Sequence, residues 1–323
     1  MKALCVFSGG LDSILAAELI RAQGIYVLGI FFETPFFSSM RAVKSAESMS
    51  LPLKVVDISR GHLEVIKNPR YGYGKNMNPC IDCHAYMFRI AGEMLEKEKA
   101  DFVITGEVLG QRPMSQTRKS LFIIERESGL GGLLLRPLSA KCLTETIPQE
   151  KKWVNIDLLM DIKGRSRKPQ MELARKMGIT EYPAPAGGCL LTEIVFSRRL
   201  KDLLYFNPDP EFSEIELLKI GRHFRISPET KLVVGRDENE NDAITGLSGK
   251  KDTLLSTPSI PGPVVLISGS ISKRSLDMAA SITVSYSDLK TGDETEVCVS
   301  SESGNRTLYA EGREKEVFKS YMI

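Results

Sequence analysis

The feature that most constrains this chain stands at its start. A short apolar run, Ala3–Phe7, leads at once into Ser8-Gly9-Gly10-Leu11-Asp12-Ser13. A helical pattern follows over Leu11–Ala22, with Ile14, Leu15, Leu19 and Ile20 on one broad face and Gly24 as its stop. A buried strand that turns on two glycines straight into a helix is the opening half of a strand–helix–strand crossover. The pattern continues: Tyr26–Phe32, Leu53–Ile58 and Asp101–Thr105 read as strands, Ser39–Ser48 and Cys83–Lys99 as helices. The expected fold class is therefore α/β, a parallel sheet with helices on both faces. Ligands of such sheets sit at the carboxyl ends of the strands, where Ser8, Glu33 and Gly106 fall.

At 323 residues the chain exceeds the size at which a single core usually splits, so two domains are expected. The texture changes near Leu204, and Asn207-Pro208-Asp209-Pro210 is a linker signal. The reading is a first domain over 1–204 and a smaller α+β domain over 205–323. The second would be built from β-like runs at Phe224–Ile226, Lys231–Val234, Val264–Ser268, Ile282–Ser285, Glu296–Val299 and Thr307–Ala310. Residues 145–200 read as helical and basic. Lys+Arg exceed Asp+Glu by 7 over residues 1–200, while residues 201–323 balance at −5, so a polyanion should meet mainly the first part. Within that part Lys163, Arg165, Arg167 and Lys168 crowd together. They form either a solvated helix face or a phosphate-backbone contact.

No apolar run is long enough to cross a bilayer, and the N-terminal apolar stretch runs straight into Ser8-Gly9-Gly10 instead of a cleavage site. The expectation is a cytoplasmic protein without a membrane partner. Six cysteines in that compartment are core filler, metal ligands or redox groups.

Chemistry concentrates in two places. In the first, Gly9 and Gly10 let backbone amides approach an anion, Ser8 and Ser13 offer hydroxyls, and the helix from Leu11 adds its positive end. Asp12 fits beside phosphate if Mg²⁺ is shared; otherwise it caps the helix. In the second, Asn78-Pro79-Cys80-Ile81-Asp82-Cys83-His84 sets two thiols at a helix start, where thiolate is favoured. A third thiol lies far along the chain in Gly187-Gly188-Cys189. Three thiolates suit a 4Fe–4S cluster with one open iron, whereas structural zinc would take His84 as a fourth ligand. Buried cysteines without a ligand are the plainer reading. Cys5, Cys142 and Cys298 lack such company.

The Ser-Gly-Gly-x-Asp-Ser loop resembles the pyrophosphate-binding loop of the N-type ATP pyrophosphatases, the PP-loop family. Asn78-Pro79-Cys80-Ile81-Asp82-Cys83 is similar to a segment of the tRNA 2-thiouridylases. Thr105-Gly106-Glu107-Val108-Leu109-Gly110-Gln111 with Ser115-Gln116, and Leu135-Arg136-Pro137-Leu138, are similar to segments of the tRNA 4-thiouridine synthetases. Gly221–Arg225 and Val234–Asp237 resemble parts of RNA-binding modules of other families.

The resemblance implies an adenine nucleotide alpha hydrolase-like fold and a tRNA sulfurtransferase that adenylates a uridine carbonyl and replaces its oxygen with sulfur. ATP would contact Ser8, Gly9, Gly10, Asp12, Ser13, Phe32, Gly106, Gln111 and Arg136. Asp12, Cys80 and Cys189 would be catalytic, and Cys80, Cys83 and Cys189 would hold the cluster. Lys163, Arg165, Arg167 and Lys168 would meet tRNA. ATP, Mg²⁺ and a 4Fe–4S cluster are the implied cofactors; sulfide or a sulfur-donor protein is the implied partner, with a homodimer as an option. Three alternatives stand beside it: a persulfide–disulfide route without a cluster, an amidotransferase or ligase acting on a small molecule, and a non-catalytic RNA-binding protein with a relic nucleotide site. Phe32, ending an apolar strand, has a plainer role in the core, and Arg136 one in a salt bridge.

Overall fold

The structure is a computed structural model that describes residues 1–184 and 189–323. The chain forms two compact units, Met1–Thr192 and Glu193–Ile323.

The first unit runs β1 (Lys2–Val6), α1 (Leu11–Arg21), β2 (Tyr26–Glu33), α2 (Met40–Ser48), β3 (Leu53–Asp57), α3 (Ser59–Lys67), α4 (Cys80–Lys97), β4 (Phe102–Thr105), α5 (Arg118–Ser128), β5 (Leu134–Leu135), α6 (Ile147–Glu150) and α7 (Lys168–Lys176). Its five strands are all parallel, in the order β3-β2-β1-β4-β5. Because strand side chains alternate, Ala3, Cys5 and Phe7 join Ile14, Ala17 and Ile20 of α1 and Ala42 and Ala46 of α2 on one face. Leu4, Ile30 and Phe32 meet Phe88, Ala91 and Met94 of α4 and Ile124 of α5 on the other. Both faces are thus covered, and the parallel α/β reading holds. Strand order reverses at β1, so a crevice opens at the carboxyl ends of β1 and β4.

Two local expectations change. The Cys-x-x-Cys helix begins at Cys80, which places both thiols in its first turn. Residues 145–200 are far less helical than their composition suggests. Among the described residues there, only α6, α7 and the start of α8 are α-helical, because prolines and glycines interrupt the periodicity.

The second unit comprises α8 (Ile194–Phe206), α9 (Phe212–Leu217), β6 (Arg222–Ser227), β7 (Thr230–Val234), α10 (Glu238–Leu247), β8 (Thr253–Ser256), β9 (Val265–Gly269), α11 (Lys273–Ser285), β10 (Glu294–Ser301) and β11 (Gly304–Glu311). Its sheet is antiparallel, ordered β11-β10-β8-β9-β7-β6. Leu276, Ala279, Ala280 and Val284 of α11 pack on Phe224, Leu232, Val265 and Val297. Ile244 of α10 packs with Val233 and Leu266. This is the expected α+β unit, with one correction: Ile282–Ser285 is the last turn of α11, not a strand. Thr283 and Ser285 cap their apolar register by donating hydroxyls to carbonyls four residues back, which lets them sit buried in a helix.

Candidate nucleotide and thiol site

The loop after β1 is shaped by its two glycines in different ways. Gly9 has φ +73°, and a Cβ there would lie 2.7 Å from Ala42 Cα, so α2 presses directly on the loop. Ser45 of α2 donates to the Gly9 carbonyl at 2.9 Å. Gly10 is extended, caps α1, and would carry a Cβ with only Ser8 Oγ at 3.5 Å for company. Its amide donates to Ser8 Oγ at 3.4 Å, a long bond, and its open side leaves room for an anion to approach. Ser13 is buried and donates its hydroxyl to the Gly10 carbonyl at 2.8 Å, while Ser8 stays exposed. Ser13 therefore shapes the loop, and Ser8 is the hydroxyl presented outward.

The end of β4 closes on this loop. A Cβ on Gly106 would fall 2.5 Å from Asp12 C and Ser13 N, so glycine is required for backbone to meet backbone. The following segment crosses to α1, where Gln111 Nε2 donates to Asp12 Oδ2 at 2.7 Å. Gln170 of α7 donates in turn to Gln111 Oε1 at 2.9 Å. Asp12 Oδ1 is buried with no hydrogen-bond partner, as are Ser115 Oγ, Gln116 Oε1 and Gln170 Oε1. Buried polar atoms are almost always paired, so this cluster of orphans marks a place for polar ligands. The bare carboxylate oxygen of Asp12 is the donor type that Mg²⁺ takes.

Arg112, next to Gln111, acts on Cys80. Burial raises the Cys80 thiol, while Arg112 and the Asn78 side chain pull it down. Burial also pushes Cys83 well above the usual thiol range, reinforced by the charges of Cys189, Cys80 and Asp82. The expected thiolate-favouring helix terminus is thus outweighed by desolvation. Among the described residues, no group of three His, Cys, Asp or Glu side chains is arranged to hold a metal ion. Gly187 and Gly188 lie outside the described residues. His62, which sequence reading missed, places Nε2 3.0 Å from Cys83 Sγ. His84 is committed elsewhere: its Nδ1 meets Glu107 Oε1 at 2.7 Å.

Two residues assigned to ATP are placed in other roles. Phe32 is 3% exposed and packs in the core beside Phe88; Phe31 is buried on the opposite sheet face. Arg136 is 4% exposed and donates to Glu107 at 2.9 Å, to Glu125 at 3.0 Å and to the Leu121 carbonyl. Burial works to raise the Glu107 carboxyl, yet Arg136 and His84 hold it below its usual value. A cavity of about 570 Å³ opens beside Arg136 between α5 and the segment after β5, and no residue of the phosphate loop lines it. In the basic segment Lys163, Arg165 and Lys168 are exposed, whereas Arg167 is half-buried with an unpartnered Nε. Backbone pairing between Leu109 and the Lys163–Gly164 segment ties this cluster to the Gln111 loop.

A parallel α/β sheet, a glycine loop at its switch point and buried polar atoms without partners beside it form an arrangement suited to an anionic ligand. Comparison with known proteins agrees. The model of the family "Thiamine biosynthesis protein (ThiI)" matches residues 1–149, and that of the "NFACT protein RNA binding domain" matches residues 221–322. A probable tRNA sulfurtransferase of Natranaerobius thermophilus is 32% identical over 146 residues, 43% of this chain and 35% of that protein. The tRNA-specific 2-thiouridylase MnmA of Karelsulcia muelleri is 31% identical over 128 residues, 36% of this chain and 34% of its own. A solved 4-thiouridine synthetase–RNA complex with bound ATP aligns at 22% identity and a TM-score of 0.35, over 55% of this chain and 51% of that one. This chain spans about a third of the length of the curated relatives named here. The resemblance read from the motifs, to the thiolation branch of the PP-loop proteins, therefore holds over residues 1–149. No described helix is long and apolar enough to cross a membrane.

Proposed function

We propose that this chain is an ATP-dependent tRNA sulfurtransferase. The observation that carries the reading is one short segment: Gln111 hydrogen-bonds Asp12 of the phosphate loop, and its neighbour Arg112 acts on Cys80. Nucleotide activation and thiol chemistry are thereby read as steps of one reaction, linked through the Gln111–Arg112 segment. Amides at Gly9 and Gly10, with Ser8, hold the departing pyrophosphate. Asp12 Oδ1 is the atom that would hold Mg²⁺, which would offset charge on the phosphates, and Gln111 fixes the carboxylate. The uridine carbonyl oxygen attacks the α-phosphorus of ATP, pyrophosphate leaves, and the former oxygen becomes part of an AMP leaving group. Sulfide sulfur then bonds to the base carbon as AMP departs with that oxygen. Positioning and electrostatic stabilisation dominate such steps. Gly106 serves by close packing. Lys163, Arg165, Arg167 and Lys168 steer the tRNA backbone, and the protein works in the cytoplasm, from sulfide or a sulfur-donor protein, with homodimerisation open to test.

Cys80, Cys83 and Cys189 are the residues that would hold a 4Fe–4S cluster; bound, it would supply an iron open to hydrosulfide. In a second route one of these cysteines carries a persulfide loaded from a sulfane-sulfur donor; its outer sulfur bonds to the base carbon as AMP departs, another cysteine attacks the inner sulfur to release the thiolated base and form a disulfide, and a thiol reductant resets the pair. Iron content decides between them. Protein purified without oxygen should be brown and hold about four irons per chain; colourless, fully active protein selects the persulfide route. Gly10→Val tests the loop. Its Cβ has room, so the fold should persist while tRNA-dependent pyrophosphate release is lost.

A further inference from the structure

Residues 194–206 lie in neither matched range, yet they form the most unusual surface of the second unit. Helix α8 buries Phe196, Leu200 and Leu203. Its opposite stripe reads Ile194, Arg198, Lys201 and Tyr205, at the i, i+4, i+7, i+11 spacing of one helical face, and all four are exposed. Tyr205 is 78% exposed and meets Phe206 edge-on at 4.8 Å; Arg225 of β6 lies over the Phe206 ring at 4.3 Å.

Cations gather around this stripe in excess. Arg198 and Lys201 have no ion pair among the described residues. Arg199 spends two nitrogens on the Leu218 and Gly221 carbonyls, but its Nε is buried without a partner. Burial, with Arg236 and Arg198 close by, brings Arg199 down to about 10. Arg225 and Lys231 face each other across the β6–β7 register, a like-charge pairing that sheets normally avoid. Asp202 answers Arg225 and Glu240 answers Arg236, which leaves Arg198 and Lys201 without an ion pair among the described residues.

We propose that this face of α8, with Arg225 of β6, binds RNA: Tyr205 stacks on an unpaired base, and Arg198 and Lys201 contact the flanking phosphates. An aromatic platform beside unpaired cations is the chemistry of single-stranded nucleic acid, since every base has a π-face and every link a charge. A protein partner fits less well, because interface centres are depleted of lysine and here Lys201 sits mid-stripe, unpaired. The inference rests on the tRNA reading above and deepens it by naming a second contact surface.

The test is binding of labelled tRNA to the full chain across a series of salt concentrations. Tyr205→Ala should weaken binding about tenfold and Tyr205→Phe should leave it near wild type. Arg198→Glu with Lys201→Glu should weaken it and reduce the slope of log K against log salt by about 1.5 to 2. All these side chains are exposed, so the variants should melt close to the wild type. If the wild type binds tRNA and the variants match its affinity and slope, the α8 surface is wrong while the tRNA reading stands. If the wild type binds no tRNA, that reading fails and takes this one with it. If Tyr205→Ala instead abolishes self-association and leaves tRNA affinity unchanged, α8 is a protein interface and the proposal is overturned.

Discussion

Arg136 is held by two carboxylates in the interior, and its fate depends on both. Removing the guanidinium strands Glu107 at 3% exposure with only His84 for company. Arg136→Leu should therefore destabilise the fold by about 3 kcal/mol or more, measured by urea denaturation; an unchanged midpoint would mean that the pair is solvated. The wild-type pair also predicts a pH dependence. Glu107 is held below its ordinary value of 4.5, so its contribution is present above that pH and fades as pH falls through the lower folded value. Lys231 is depressed as well, so its pH dependence has the same sign, but burying its charge costs stability at neutral pH. Burial brings its ammonium from 10.5 down to about 8. Between those values the unfolded chain keeps a proton that the folded chain has lost, so stability rises with pH across that window. Lys231→Met should gain on the order of 2 kcal/mol at pH 7, with the gain shrinking toward pH 10.5. An equal gain at both pH values would contradict a titrating Lys231. At this scale the sequence reveals residue types but not neighbours. Arg136 reads equally well as a phosphate ligand or an ion-pair partner until Glu107 and Glu125 are seen around it. His62 and Gln170 carried no local motif, and only the fold brings them to Cys83 and Gln111.

Among elements, the opening strand–loop–helix was fully legible, because glycine pairs and apolar periodicity are local properties. What the pattern could not show is that β4 ends against the loop with no room for a side chain. Gly106→Ala puts a methyl within 2.5 Å of the Asp12–Ser13 backbone. It should lower both stability and pyrophosphate release, whereas Gly10→Val should lose release alone. Parallel losses in the two variants would mean that the loop tolerates no change at all and that the distinction is false. The β-like reading of Ile282–Ser285 failed for a related reason. Ile, Thr and Val favour strands when half-buried, but α11 buries this turn on the sheet and tertiary packing overrides propensity. Conversely, α8 hides its signal in a stretch that reads simply as basic.

At the scale of the molecule, each unit carries its own core, and the parallel and antiparallel sheets match the α/β and α+β textures seen along the chain. Net charge and likeness point to different parts: the excess of cations lies in residues 1–200, while the part with a balance of −5 contains the match to an RNA-binding domain model. The central claim joins nucleotide activation and thiol chemistry in a single reaction on tRNA. It is tested most directly by incubating oxygen-free protein with ATP, Mg²⁺, sulfide and unmodified tRNA, then digesting the tRNA and measuring thiolated uridine by mass spectrometry beside released pyrophosphate. The account predicts one thiouridine per pyrophosphate, with both products lost in Gly10→Val and only the thiouridine lost in Cys80→Ala or Cys189→Ala. Pyrophosphate released without tRNA, or tRNA left unthiolated while a small molecule is adenylated, would contradict it.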